Sequence, residues 1–189
     1  MPAPSTDLDF ADIQADTTRW EGRINHMYLD TVGKVTVGVG KMLPNVAAAQ
    51  ALAFVRRADG GAASADEIGR DFQAVSAQPK AMLAASYRKF TQLDLPDPEI
   101  DALLKTVVDG FQAELVKRFN GYAGYPAPAK RALLDMIYNL GPGGLGAFVR
   151  LRTAIEAGNW DAAASECQRN GISQARNDWT RDLFLQCKG

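Results

Sequence analysis

The stretch WEGRINHMYLDTVGKVTVGVGKML, Trp20–Leu43, decides how this chain is read. Within it Met27–Leu29 and Lys34–Val39 are two short extended runs joined by Asp30, Thr31, Val32 and Gly33, the composition of a hairpin turn. Along the second run Val35, Val37 and Val39 alternate with Thr36, Gly38 and Gly40. Successive strand side chains point to opposite faces, so one face is apolar and the other carries only the Thr36 side chain. A flat polymer can approach the backbone of such a face closely. Upstream, Phe10, Ile13, Thr17 and Trp20 recur at helical spacing, which predicts an amphipathic helix over residues 7–19 that ends near Glu21. Glu21 then sits at a helix end, Asp30 at a turn and Thr36 on the open face of a strand.

Those three residue types in that order suit one chemistry. Cleavage of a glycosidic bond needs a carboxylic acid to protonate the leaving oxygen and a second carboxylate on the other face of the sugar. Glu21 and Asp30 can supply the pair. The negative end of the helix dipole, with Trp20 and Ile24 as shields from water, disfavours a charged Glu21 and suits it to act as the acid. Asp30 and the Thr36 hydroxyl would hold an attacking water, the arrangement of an inverting enzyme. Taken singly, each has a plainer reading: a helix-end charge, a turn former and a good strand residue.

In the ordered set Glu21-Gly22, Tyr28, Asp30-Thr31, Gly33, Thr36, Gly38 and Gly40, the chain resembles the phage-type lysozymes, glycoside hydrolase family 24. KRALLDMIYNLGPGGLGAF (Lys130–Phe148) is similar to the central buried helix of that family and its Gly-rich turn, and GNWDAAA (Gly158–Ala164) to the helix opening that follows. Within the family, the Trp20–Gly40 stretch looks most like the pesticin-type muramidase domains of bacterial toxins and secreted effectors. The resemblance covers roughly residues 8–60 and 126–187. It implies Glu21 as general acid, with Asp30 and Thr36 activating water. Gly38, Gly40, Met42 and Tyr138 would line the substrate cleft, and Arg176 at the start of the last helix would reach across to Glu21. The implied substrate is the peptidoglycan glycan strand, cut at the β-1,4 bond from N-acetylmuramic acid to N-acetylglucosamine without a cofactor. Lys41 stands where many phage members carry a histidine, and Leu151 and Glu166 fall where small polar residues are common. The sole histidine, His26, reads as a strand-edge residue rather than a catalyst. Two other readings stay open: a lytic transglycosylase cutting the same bond, and a non-catalytic wall-binding module on the same scaffold.

The resemblance implies an α+β, lysozyme-like fold: one domain over 1–189, with a hairpin lobe at 22–62, a helical lobe at 1–21 and 63–189, and the cleft between. With 189 residues and 47% hydrophobic content the chain can bury one good core. A formal net charge of −1 offers no basic face to nucleic acid. No run approaches the roughly 18 apolar residues of a membrane span, so stable membrane insertion is not expected. MPAPSTDLDF has neither the basic nor the apolar segment of a secretory signal, and its Pro-Ala-Pro-Ser start reads as a linker. The expectation is a monomer made in the cytoplasm and delivered to the wall of target bacteria by another system, as an antibacterial effector, a toxin domain or a phage endolysin. One histidine and two distant cysteines make no metal-ligand cluster. Cys167 and Cys187 are open to a disulfide or, slightly favoured, two buried thiols.

Several further helices are legible. Asn45–Val55 is alanine-rich, Ser64-Ala-Asp-Glu67 is a capping box for a helix through about Ala77, and residues 80–96 read as a helix after Pro79. Asp97-Pro98 opens another, striped by Ile100, Leu103, Leu104, Val107, Phe111, Leu115 and Phe119. Segment 80–120 is open to three roles: extending the cleft, binding an immunity protein, or bracing the fold.

Overall fold

Helix α1 (Phe10–Glu21) stops where Gly22 adopts a left-handed φ of 78° and returns its N–H to the Thr18 carbonyl. Glu21 is its last residue. The chain then forms an antiparallel sheet in the order β1 (Ile24–Leu29), β2 (Val35–Gly38) and β3 (Lys41–Met42). The valine face of the hairpin is core: Val35, Val37 and Val39 are 5%, 0% and 6% exposed. Each such side chain taken from water contributes on the order of 1.5–3 kcal/mol. Tyr28 pairs with Thr36 and Leu29 with Val35 across the first two strands, and Thr36 pairs with Met42 across the next two. The register shifts between Ile24 and Tyr28, so the β1 pairing is irregular there. These coordinates are a computed structural model that describes residues 5–188. Met1–Pro4, part of the stretch read as a linker, and Gly189 lie outside the described residues.

Beyond the sheet come α2 (Val46–Gln50), capped by Asn45, a short strand β4 (Val55–Arg56), and α3 (Ala65–Ser76). The α3 capping box is formed as its sequence requires: Glu67 N–H donates to Ser64 Oγ, and Ser64 N–H donates to Glu67 Oε2 at 2.7 Å. Two helix expectations are corrected. The alanine-rich segment is helical only to Gln50, because Val55 and Arg56 pair with β5 (Leu93–Asp94). Residues 80–96 are not an α-helix: Ala81 takes a left-handed φ of 68°, Ala84–Phe90 form a 3-10 helix, and β5 follows. The competing stabilisation is visible in the bonds to this segment. Asp71 Oδ2 accepts the Gln92 and Leu93 N–H groups, both at 2.9 Å. Arg57 donates to the Thr91 and Leu93 carbonyls while pairing with Asp94 at 2.8 Å.

Helix α4 (Asp97–Arg118) buries Ile100, Leu104, Val108 and Leu115, so Val108 rather than Val107 is the fully buried valine of its stripe. Then follow α5 (Ala127–Gly146), α6 (Val149–Glu156), α7 (Trp160–Glu166) and α8 (Gln174–Leu185). Gly141, at φ 68° and ψ 169°, breaks α5 where its Gly-Pro-Gly-Gly run predicts a stop. Helices with a small antiparallel sheet make this an α+β protein.

The chain divides into two compact units, residues 1–16 with 106–189, and Thr17–Lys105. The sheet-bearing unit is larger than the 22–62 lobe read from the sequence, because α3, the 3-10 helix and β5 all pack on β1. In the other unit the described elements are helical, with Ala129, Ala132, Leu133, Met136 and Ile137 of α5 and Phe184 of α8 at its core. Among the described residues, no helix is long and apolar enough to cross a membrane.

Candidate active site

Lys34 organises the hairpin end of the sheet. Its backbone N–H donates to Asp30 Oδ1 at 2.8 Å, and the Val32 N–H donates to the same oxygen at 3.0 Å. The Lys34 carbonyl accepts from the Asp30 N–H at 2.9 Å and from the Thr36 hydroxyl at 3.1 Å. Asp30 and Thr36 are thus both fastened to the backbone of one residue, Lys34. Gly33 closes the turn at φ 88°, a conformation an L side chain rarely adopts. One carboxylate oxygen of Asp30 is therefore a structural acceptor, whereas Oδ2 has no hydrogen-bond donor among the described residues. The strand face expected to be open is instead covered: Thr36 is 3% exposed and Gly38 is buried against Ile100, because α4 packs there. With its proton committed to Lys34, the Thr36 hydroxyl oxygen is left to accept.

Tyr28 ties Glu21 to this arrangement. Its register with Thr36 puts both side chains on one face, and that row continues to Met42, which is 47% exposed. The half-buried phenol titrates above its ordinary value, first because burial penalises the phenolate, then because the negative charges of Asp30 and Glu21 both oppose ionisation. One side chain therefore lies within electrostatic reach of both carboxylates. Gly38 follows Thr36 on the same face, where an added Cβ would stand 3.3 Å from Ile100 Cγ2 at φ 67°, and Gly40 sits at φ 76° in the turn to β3. The sheet carries Thr36, Gly38 and Met42 and its turns carry Asp30 and Gly40, with Glu21 at the helix end that feeds it. Tyr28 was legible as the Thr36 partner from period-two alternation once the register was known.

Tyr138 and Arg176, the remaining candidates, belong to the helical unit. Tyr138 lies on α5 and meets Phe111 edge to face, with ring centroids 5.6 Å apart. Arg176 has Nε and Nη2 on Asp135 Oδ1 at 2.9 and 2.7 Å. Arg169 Nη2 and the Thr180 hydroxyl donate to the other Asp135 oxygen at 2.7 and 3.1 Å. Asn177 fixes the Arg169 backbone from both sides. The sequence hint of this network was one acidic residue, Asp135, inside the apolar run of α5.

His26 lies on β1, an edge strand of the sheet, and is buried there, with Nε2 3.0 Å from the Ala84 carbonyl. Burial holds its imidazole below the ordinary value, opposed by the hydrogen bond to the Ala84 carbonyl and by Asp94, with Arg88 and Arg57 acting in the same sense as burial. Cys167 and Cys187 are free buried thiols, each donating to a backbone carbonyl at 3.3 Å, and burial pushes both up to about 11. Among the described residues, no group of three His, Cys, Asp or Glu side chains is placed to hold a metal ion. No protein-family model matches the chain, and no curated protein matches it.

Proposed function

We propose that this protein is an N-acetylmuramidase of lysozyme-like fold that hydrolyses the β-1,4 bond between N-acetylmuramic acid and N-acetylglucosamine in peptidoglycan. The observation that carries this reading is the anchoring of Asp30 and Thr36 to the Lys34 backbone, with one Asp30 oxygen left to accept and Glu21 at the end of the helix that feeds the sheet. In the proposed reaction Glu21 protonates the glycosidic oxygen as the bond to the anomeric carbon breaks. A water donates one hydrogen to Asp30 Oδ2 and the other to the Thr36 oxygen. Held by both hydrogens, it presents a lone pair to the anomeric carbon from the opposite face. Asp30 takes the proton that this water loses, and the configuration inverts. The commitment of the Thr36 proton to Lys34 makes that hydroxyl an acceptor, which is the role this step requires.

Digestion of purified sacculi by wild type and Glu21→Gln, with products read by mass spectrometry, tests the proposal. Wild type should release reducing muropeptides, and the variant should be slower by about 10²–10⁴-fold, the ordinary contribution of a general acid. Products ending in 1,6-anhydromuramic acid would replace hydrolysis by transglycosylation. Equal absence of soluble products, with both proteins pelleting with the wall, would make the chain a binding module.

A further inference from the structure

The face that carries Thr36 is rich in acceptors. Asp30 Oδ2 and the Thr36 oxygen can only receive hydrogens there, because the Thr36 proton is held by the Lys34 carbonyl at 3.1 Å. Glu21 becomes a third acceptor once it has given up its proton. Sugar hydroxyls can donate to the two carboxylates, while the buried Thr36 oxygen has room only for a small donor such as water. The oxygen of a 2-acetamido group cannot, since a carbonyl only accepts. It needs a donor, and on this face the register supplies one: Tyr28, the cross-strand partner of Thr36 and two residues before Asp30. Its side chain is half-buried, and no described group hydrogen-bonds its hydroxyl. Burial first, and then neighbouring negative charge, keep that hydroxyl protonated, so it remains a donor across the physiological range.

We infer that Tyr28 is a specificity-determining residue that donates its phenolic hydrogen to the acetamido carbonyl of the bound glycan. This rests on the muramidase reading for the identity of the glycan. The donor is preformed and its partner is present before bond cleavage, so it binds substrate and transition state alike. Such uniform binding moves KM and leaves kcat in place. The aromatic ring carries the packing, and Phe retains it.

Tyr28→Phe should raise KM for a soluble peptidoglycan tetrasaccharide roughly fivefold to tenfold, the worth of one neutral hydrogen bond, with kcat within about twofold of wild type. Calorimetric binding of the same tetrasaccharide to Glu21→Gln, with and without Tyr28→Phe, reads the donor without turnover and should show the same ratio in Kd. On N-deacetylated tetrasaccharide the penalty should disappear. An unchanged Kd on the acetylated ligand overturns the inference. So does a penalty that persists after deacetylation, because the acceptor would then be another oxygen. Weakened binding in a protein that releases no product would leave Tyr28 as the donor and remove the muramidase reading instead.

Discussion

Asp30 and Asp135 are two aspartates treated in opposite ways by one chain. In the helical unit Asp135 is 9% exposed, and both of its oxygens are occupied by Arg169, Arg176 and Thr180. On the sheet Asp30 is less buried, yet one oxygen is held by two N–H groups of its own turn and the other is open. A saturated buried carboxylate has no capacity left for a ligand and serves to fix its neighbours. A half-saturated one is oriented and still able to accept. Hydrogen-bond vacancy, rather than burial, separates the structural acid from the available one.

The largest expected effect is on the saturated side. Asp135→Asn takes the shared counter-charge from Arg169 and Arg176 and should cost about 3–5 kcal/mol of stability, the usual penalty for breaking a buried pair. Urea unfolding measures it, and a loss under about 1 kcal/mol would break the contrast. On the other side, Asp30→Asn should lower turnover on sacculi by at least about a hundredfold, as for a lost general base. Its stability should change by less than about 1 kcal/mol, because an amide oxygen still accepts from Val32 and Lys34. If the variant unfolds early, the Asp30 carboxylate is a turn device first.

The smallest effect sharpens the same comparison through His26, which is buried on the strand that bears Tyr28. Its proton affinity is lowered in the folded protein, so the unfolded chain binds the proton more readily. Stability from a neutral His26 is fully present above the unfolded value near 6.5 and falls as pH drops from there through the lower folded value. Unfolding free energy measured between pH 8 and pH 5 should decline with acidity. His26→Gln, which can still donate to the Ala84 carbonyl, should flatten that slope. An unchanged slope would assign the acid sensitivity to other groups.

The parts of the fold that were legible are those where local chemistry and tertiary packing agree. The Ser64 capping box, the Gly141 stop and the valine alternation of β2 each act within a few residues, and each is formed. Residues 80–96 show what local reading misses. Their helix pattern lost to distant partners, the Asp71 carboxylate and the Arg57 guanidinium, which hold Thr91–Asp94 extended. Glu21, Asp30 and Thr36 were nameable because a helix end, a turn and a strand each leave a compositional mark. The Asp135 network was not, since pairing of α5 with α8 and with Arg169 in the segment before it leaves no spacing to read.

The turn that holds Asp30 also supplies a built-in gauge. The Val32 and Lys34 amides bond directly to its carboxylate, so their proton resonances should follow the charge and contacts of that group. Two amide peaks would then report ligand capture at the open oxygen, in unlabelled sugar and at concentrations where turnover is too slow to follow.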